Sequence, residues 1–130
     1  MVTARPRAVV LDAGALIAFE RGDARMRALV RDAMSTGVRL VIPAGVVGQV
    51  MRDRARQVPL RALLNGPTSV VVALDQPLAE AAGMLCARAG TSDVIDASVV
   101  LSARRERAPV VTSDAGDLAR LDPSLDLHEI

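Results

Sequence analysis

The chain has 130 residues and a mass of 13.6 kDa, with 51% hydrophobic and 24% charged residues, the composition of one globular domain rather than a disordered segment. One cysteine and one histidine exclude a disulfide framework and a Cys/His zinc site, and leave little material for Ser-His or Cys-His catalysis. The net charge is +1, all 16 basic residues are arginine and Phe19 is the lone aromatic, which argues against lysine chemistry and against base stacking on aromatic platforms.

Arg5 and Arg7 precede the apolar stretch AVVLDAGALIAF, an arrangement with a superficial likeness to a secretory leader. Asp12 in the middle of that stretch contradicts a leader, and no run reaches the roughly 18 apolar residues of a membrane span. A cytoplasmic protein without membrane association is the expectation. Ala8–Leu11 reads as a short buried strand bounded by Pro6 and by Asp12-Ala13-Gly14. Helical character follows at Ala15–Glu20 and at Ala24–Met34, where Met26, Leu29, Val30 and Ala33 recur at helical spacing and Gly37 supplies the stop. Arg39–Ile42 is a second strand. Pro43 suits the first turn of a third helix carrying Val46, Val47, Val50 and Met51.

A short helix at Leu60–Leu64 ends in the breaker Asn65-Gly66-Pro67. Ser69–Ala73 is a third strand, and Pro77 opens a helix that runs to Ala89 and closes at Gly90. Val94–Arg105 is apolar nearly all round at its start, which predicts a central buried helix. Pro109–Thr112 is a fourth strand, Asp114–Leu121 a short helix and Leu125–His128 an edge strand. Short, continuously apolar strands alternating with helices predict an α/β protein, a three-layer α/β/α sandwich around a parallel sheet of four to five strands. No linker divides residues 1–130, so a single domain is expected.

The acids carry the chemistry. Asp12 directly follows the first strand and Asp114 closely follows the fourth, and in an open parallel sheet functional groups gather outside the carboxyl ends of the strands. Asp93 and Asp96 stand three apart at the start of the central helix, and Asp114 and Asp117 repeat that spacing within the shared pattern T-S-D-x-x-D. Each aspartate alone can be a helix cap, although Asp96, flanked by Ile95 and Ala97, is hard to explain that way. Carboxylates gathered at one place repel one another unless a cation intervenes, and Mg²⁺ or Mn²⁺ is the hard ion that takes such oxygen ligands. Arg52, Arg54 and Arg56, and then Arg104 and Arg105, form basic clusters that suit RNA phosphates or an acidic partner. Ser113 suits a water or phosphate contact, Cys86 packing, and His128 no catalytic role.

Four segments together resemble the PIN domain, in particular the VapC-like toxins of prokaryotic toxin–antitoxin pairs: VVLDAGALIA at the start, IPAGVVGQV near position 45, DASVVLSA from Asp96 and VVTSDAGDL from Val110. The resemblance spans nearly the whole chain. It implies a metal-dependent endoribonuclease with Asp12, Asp96 and Asp114 as catalytic metal ligands, Asp93 and Asp117 as secondary ones, a small antitoxin as inhibitor and a homodimeric assembly. One departure stands out. Gln49 occupies the place where the family usually carries a glutamate, which removes a charge from the implied site and leaves open a PIN-fold binding or regulatory protein without hydrolysis.

Overall fold

The computed structural model describes residues 6–130, so Arg5 lies outside the described residues. The elements follow the order β1 (Ala8–Leu11), α1 (Ala13–Glu20), α2 (Ala24–Thr36), β2 (Arg39–Pro43), α3 (Ala44–Val50), α4 (Val58–Leu64), β3 (Ser69–Val72), α5 (Gln76–Ala89), α6 (Val94–Glu106), β4 (Val110–Thr112), α7 (Ala115–Leu121) and β5 (Leu127–Glu129). All pairings are parallel, and the five strands lie in the order β3-β2-β1-β4-β5. The chain therefore starts at the centre, winds outward through β2 and β3, and returns through β4 and β5. Because such crossovers are right-handed, the reversal puts α1–α4 on one face and α5–α7 on the other. This is the three-layer sandwich expected from the sequence.

The local reasons are simple. Asp12, Asp23, Asp75 and Asp93 each accept a hydrogen bond from a backbone N–H in the first turn of the following helix, which sets the starts of α1, α2, α5 and α6. Gly37 and Gly90 end α2 and α5 at φ 75 and 72, a left-handed conformation that a Cβ disfavours. β1, β2 and β4 are buried on both faces, and their valines, leucines and Ile42 meet Leu16, Met26, Val46, Leu60, Val99 and Leu118 from the helices. β3 departs from the expected burial. It is an outer strand covered by α4, and Val70 and Val71 remain exposed. Among the described residues, no helix is long and apolar enough to cross a membrane.

A buried glutamine organises the loop between α3 and α4. Gln57 has no exposure; its Oε1 accepts from the backbone N–H groups of Arg52 and Asp53, and its Nε2 donates to the Val50 carbonyl and to Glu20. Those bonds satisfy groups that a continuing helix would have paired, and they tie the loop to the end of α1.

An acidic rim at the carboxyl edge of the sheet

β1 and β4 are neighbours at the centre of the sheet, where the winding reverses, so the residues that follow them flank the switch point of the fold. Asp12 follows β1 and is nearly buried, at 6% exposure. Its Oδ1 accepts from the Ala15 N–H at 2.9 Å, and its Oδ2 accepts from the Thr112 hydroxyl. The Thr112 Oγ1 in turn accepts from the Asp114 N–H at 2.8 Å, so one buried hydroxyl fixes the Asp12 carboxylate and the turn that carries Asp114. Burial pushes the Asp12 carboxyl up from its ordinary value, and the nearby Asp114 charge adds to the rise. The Thr112 and Ala15 hydrogen bonds oppose it.

Asp96 reaches the same rim from α6. It is half-buried, and its carboxyl is pushed up to about 7, first by burial and then by the charges of Asp93, Asp114, Asp117 and Asp12. Asp93 caps α6 by accepting from the Asp96 N–H at 2.9 Å. Asp114 precedes α7 but makes no side-chain capping bond, so capping does not account for its carboxylate. Asp117 is raised above its ordinary value by a hydrogen bond and charge from Asp114, with Arg120 pulling the other way. The five acids thus form one electrostatic neighbourhood.

Close contact builds the rim on both sides. A Cβ on Gly14 would run into the side chain of Ser113, so glycine lets the start of α1 lie against the turn after β4 and leaves Ser113 exposed beside it. A Cβ on Gly45 would lie 3.0 Å from Ile95 Cγ1, which brings α3 against the start of α6. Gln49, one turn after Gly45 and so on the same helix face, is exposed and adds no charge.

The donor set suits a hard divalent cation. It consists of carboxylate and hydroxyl oxygens, and the repulsion that adds to burial in lifting Asp96 is what a cation would relieve. Among the described residues, no group of three or more His, Cys, Asp or Glu side chains is already arranged to hold an ion. Asp12, Asp96 and Asp114 would therefore need side-chain movement or intervening water, which Mg²⁺ habitually keeps. A cavity of about 750 Å³ lies elsewhere. It opens between α2, the end of α6 and β5, and its mostly apolar lining of Met26, Leu29, Ala103, Pro109 and Leu125 does not fit phosphodiester chemistry. His128 lies there, exposed and 3.1 Å from Asp126.

α6 runs away from the rim, so Arg104 lies eight residues, or about 12 Å, along the helix from Asp96. Glu106, at the end of α6, holds Arg39 at the start of β2 at 2.6 Å, which places this end at the opposite edge of the sheet. Arg104 is bound to the buried Asp122 at 2.7 Å, and Arg105 shares its helix end, so neither lines the acidic site. Arg52 is also engaged, by both nitrogens of its fork with Glu20, and Arg56 lies 3.5 Å from Asp53. Arg54 is exposed. Two residues that sequence reasoning passed over matter more: Thr112, visible only as the first letter of the second T-S-D pattern, and Arg120, which lines a cleft together with Asp96 and Asp117.

A family model described as the PIN domain matches residues 9–122. Three solved structures share the fold over nearly the whole chain. A chain of VapBC2 from Rickettsia felis, bound to a DNA fragment from their promoter, gives a TM-score of 0.70 at 15% identity, covering 95% of this chain and 98% of that one. FitAB bound to an IR36 DNA fragment gives 0.63 at 14% identity, with 93% and 94% covered. FitAcB from Neisseria gonorrhoeae gives 0.62 at 16% identity, with 93% and 96% covered. At these identities the likeness is one of fold. No curated protein matches the sequence significantly.

Proposed function

The chain belongs to the PIN domain family, and from that premise we propose that it is a divalent-metal-dependent endoribonuclease, the VapC-like toxin of a toxin–antitoxin pair. PIN domains are generally nucleases. The observation that carries the reading is the gathering of acids from β1, α6 and the turn after β4 at one rim, where burial first and then the charges of four neighbouring aspartates hold the Asp96 carboxyl up at about 7. Asp12, Asp96 and Asp114 would hold Mg²⁺ or Mn²⁺, with Asp93 and Asp117 reaching it through water. When bound, the ion supplies charge for a phosphodiester oxygen and activation of a water.

The chain's own groups do the rest. Thr112 and the Ala15 N–H hold the Asp12 carboxylate in one orientation before any ligand arrives. Burial and the neighbouring aspartates hold the Asp96 carboxyl up at about 7, and a cation bound at the rim would favour its ionised form. Ser113, exposed beside Gly14, has a hydroxyl free to donate to a phosphate oxygen. The same reading takes a small antitoxin as partner, a homodimer as the assembly and the cytoplasm as the place of action. The likeness to VapBC2 and FitAB supports the partner, and the exposed Val70 and Val71 on the outer strand β3 are compatible with self-association.

A second reading follows from Gln49. A neutral amide at an exposed position of α3 removes one charge from the implied ligand set, which favours a PIN-fold binding protein without hydrolysis. Labelled RNA incubated with the purified protein separates the two. The nuclease reading requires cleavage in Mn²⁺, none in EDTA, and loss in both Asp12→Asn and Asp96→Asn. RNA that stays intact in Mn²⁺, or equal cleavage by both variants, refutes it. Recovery of stronger cleavage in Gln49→Glu would identify the missing charge as the limiting feature.

A further inference from the structure

Between the start of α6 and α7 lies a cleft of about 100 Å³ lined by Thr91, Asp93, Asp96, Asp117, Arg120 and Leu121. At roughly 30 Å³ per water, that space takes a few waters or one phosphate group, and no base. Three of its six lining residues are aspartates, and Arg120 is the only cation among them. Arg120 lies three residues after Asp117, so the two share a face of α7. It is exposed, and its charge is felt at Asp117. Unlike Arg39, Arg52 and Arg104, it forms no ion pair within 4.0 Å among the described residues. Its fork is therefore uncommitted.

An RNA strand approaching this rim meets like charge. A single exposed planar guanidinium lining the cleft is the group that offsets the repulsion and fixes a phosphate through two parallel hydrogen bonds. We propose that Arg120 binds the RNA phosphate that enters the cleft between the start of α6 and α7, an inference that rests on the nuclease reading above. Arg120 is thereby a substrate-binding residue of the site. It sets the register of the strand on the acids, and its charge limits how much cation the rim needs.

The test uses the whole protein with Arg120→Gln and Arg120→Lys. Binding of a short, labelled, mixed-sequence RNA is read by fluorescence anisotropy in Ca²⁺ over a salt series, with the RNA checked for integrity. Mn²⁺ affinity is read separately from the melting temperature without RNA. Arg120→Gln should weaken RNA binding about tenfold. It should also lower the slope of log affinity against log salt by about 0.7, the loss of one single-strand phosphate contact. Arg120→Lys should keep that slope while recovering part of the affinity. Mn²⁺ affinity should hold or tighten in Arg120→Gln, because a competing charge has been removed. Wild-type affinity and slope in Arg120→Gln, in a protein that cleaves RNA, overturn the inference and leave the nuclease reading intact. Weakened Mn²⁺ binding also overturns it, because Arg120 would then shape the cleft rather than contact RNA. If the wild-type protein neither binds nor cleaves RNA, both fall together.

Discussion

Asp96→Asn should make the metal-free protein more stable while removing its activity. The carboxyl rises from an ordinary 3.8 to about 7 in the folded chain, so the folded state holds the proton more tightly than the unfolded one. Stability from that preference is complete below the ordinary value and is lost as pH climbs through about 7. Above that point the ionised Asp96 opposes folding, and the neutral amide of asparagine does not. The rise sets a ceiling of about 4 kcal/mol at 1.36 kcal/mol per pH unit. Asp96 is only half-buried, so solvent screening brings the expected gain to about 2 kcal/mol. Urea denaturation in EDTA reads this directly as a higher midpoint at unchanged m-value, and melting should rise by roughly 7 °C at about pH 8. The gain should shrink steadily as pH is lowered and vanish near the ordinary carboxylate value. Saturating Mn²⁺ should narrow the gap, because the ion stabilises the wild type more than the variant. A variant less stable than the wild type at alkaline pH in EDTA would refute the argument. So would a gain that does not change with pH, because the rim would then not be the cause.

Thr112→Val, close in shape but lacking the hydroxyl, should cost about 1–3 kcal/mol and most of the activity, because it strips a hydrogen bond from the buried Asp12 and an acceptor from the Asp114 N–H. Thr112→Ser should restore activity ahead of stability in parallel melting and cleavage assays. Gly14→Ala should displace the turn after β4 and reduce cleavage, with Ser113→Gly in the same chain giving partial recovery. At the other edge, the Ser124 and Arg104 hydrogen bonds lower the Asp122 carboxyl to about 2. Its contribution is therefore present above the ordinary 3.8 and lost as pH falls toward 2. Asp122→Asn should lower stability by about 1–2 kcal/mol near neutrality, by less in acid, and should leave cleavage of RNA unchanged.

Much of this was legible in the letters. The aspartates that open α1, α2, α5 and α6 and the glycines that close α2 and α5 are local signals, and helix ends depend on local hydrogen bonds. Asp12 and Asp114 could be placed at one edge because every strand of a parallel sheet finishes there. The positions of the arginines were not legible, for a reason equally physical. A helix returning between parallel strands must end where they begin, so Arg104 and Arg105 belong to the far edge although they follow Asp96 closely in sequence. Asp12 and Asp114 look alike as helix-start residues, and only the folded structure separates the one that caps from the one that does not. Gln57 gave no signal at all within the polar run RDRARQ, because its value lies in four partners supplied by the folded loop.

The far edge has its own logic. Glu106 and Asp122 sit where α6 and α7 finish, each matched to an arginine. Opposite charges are neutralised at one pole of the molecule, and like charges accumulate at the other. Substitutions at the matched pole act on how firmly the chain holds together, and those at the acidic pole on how much like charge the rim must carry. The two poles can therefore evolve on separate schedules.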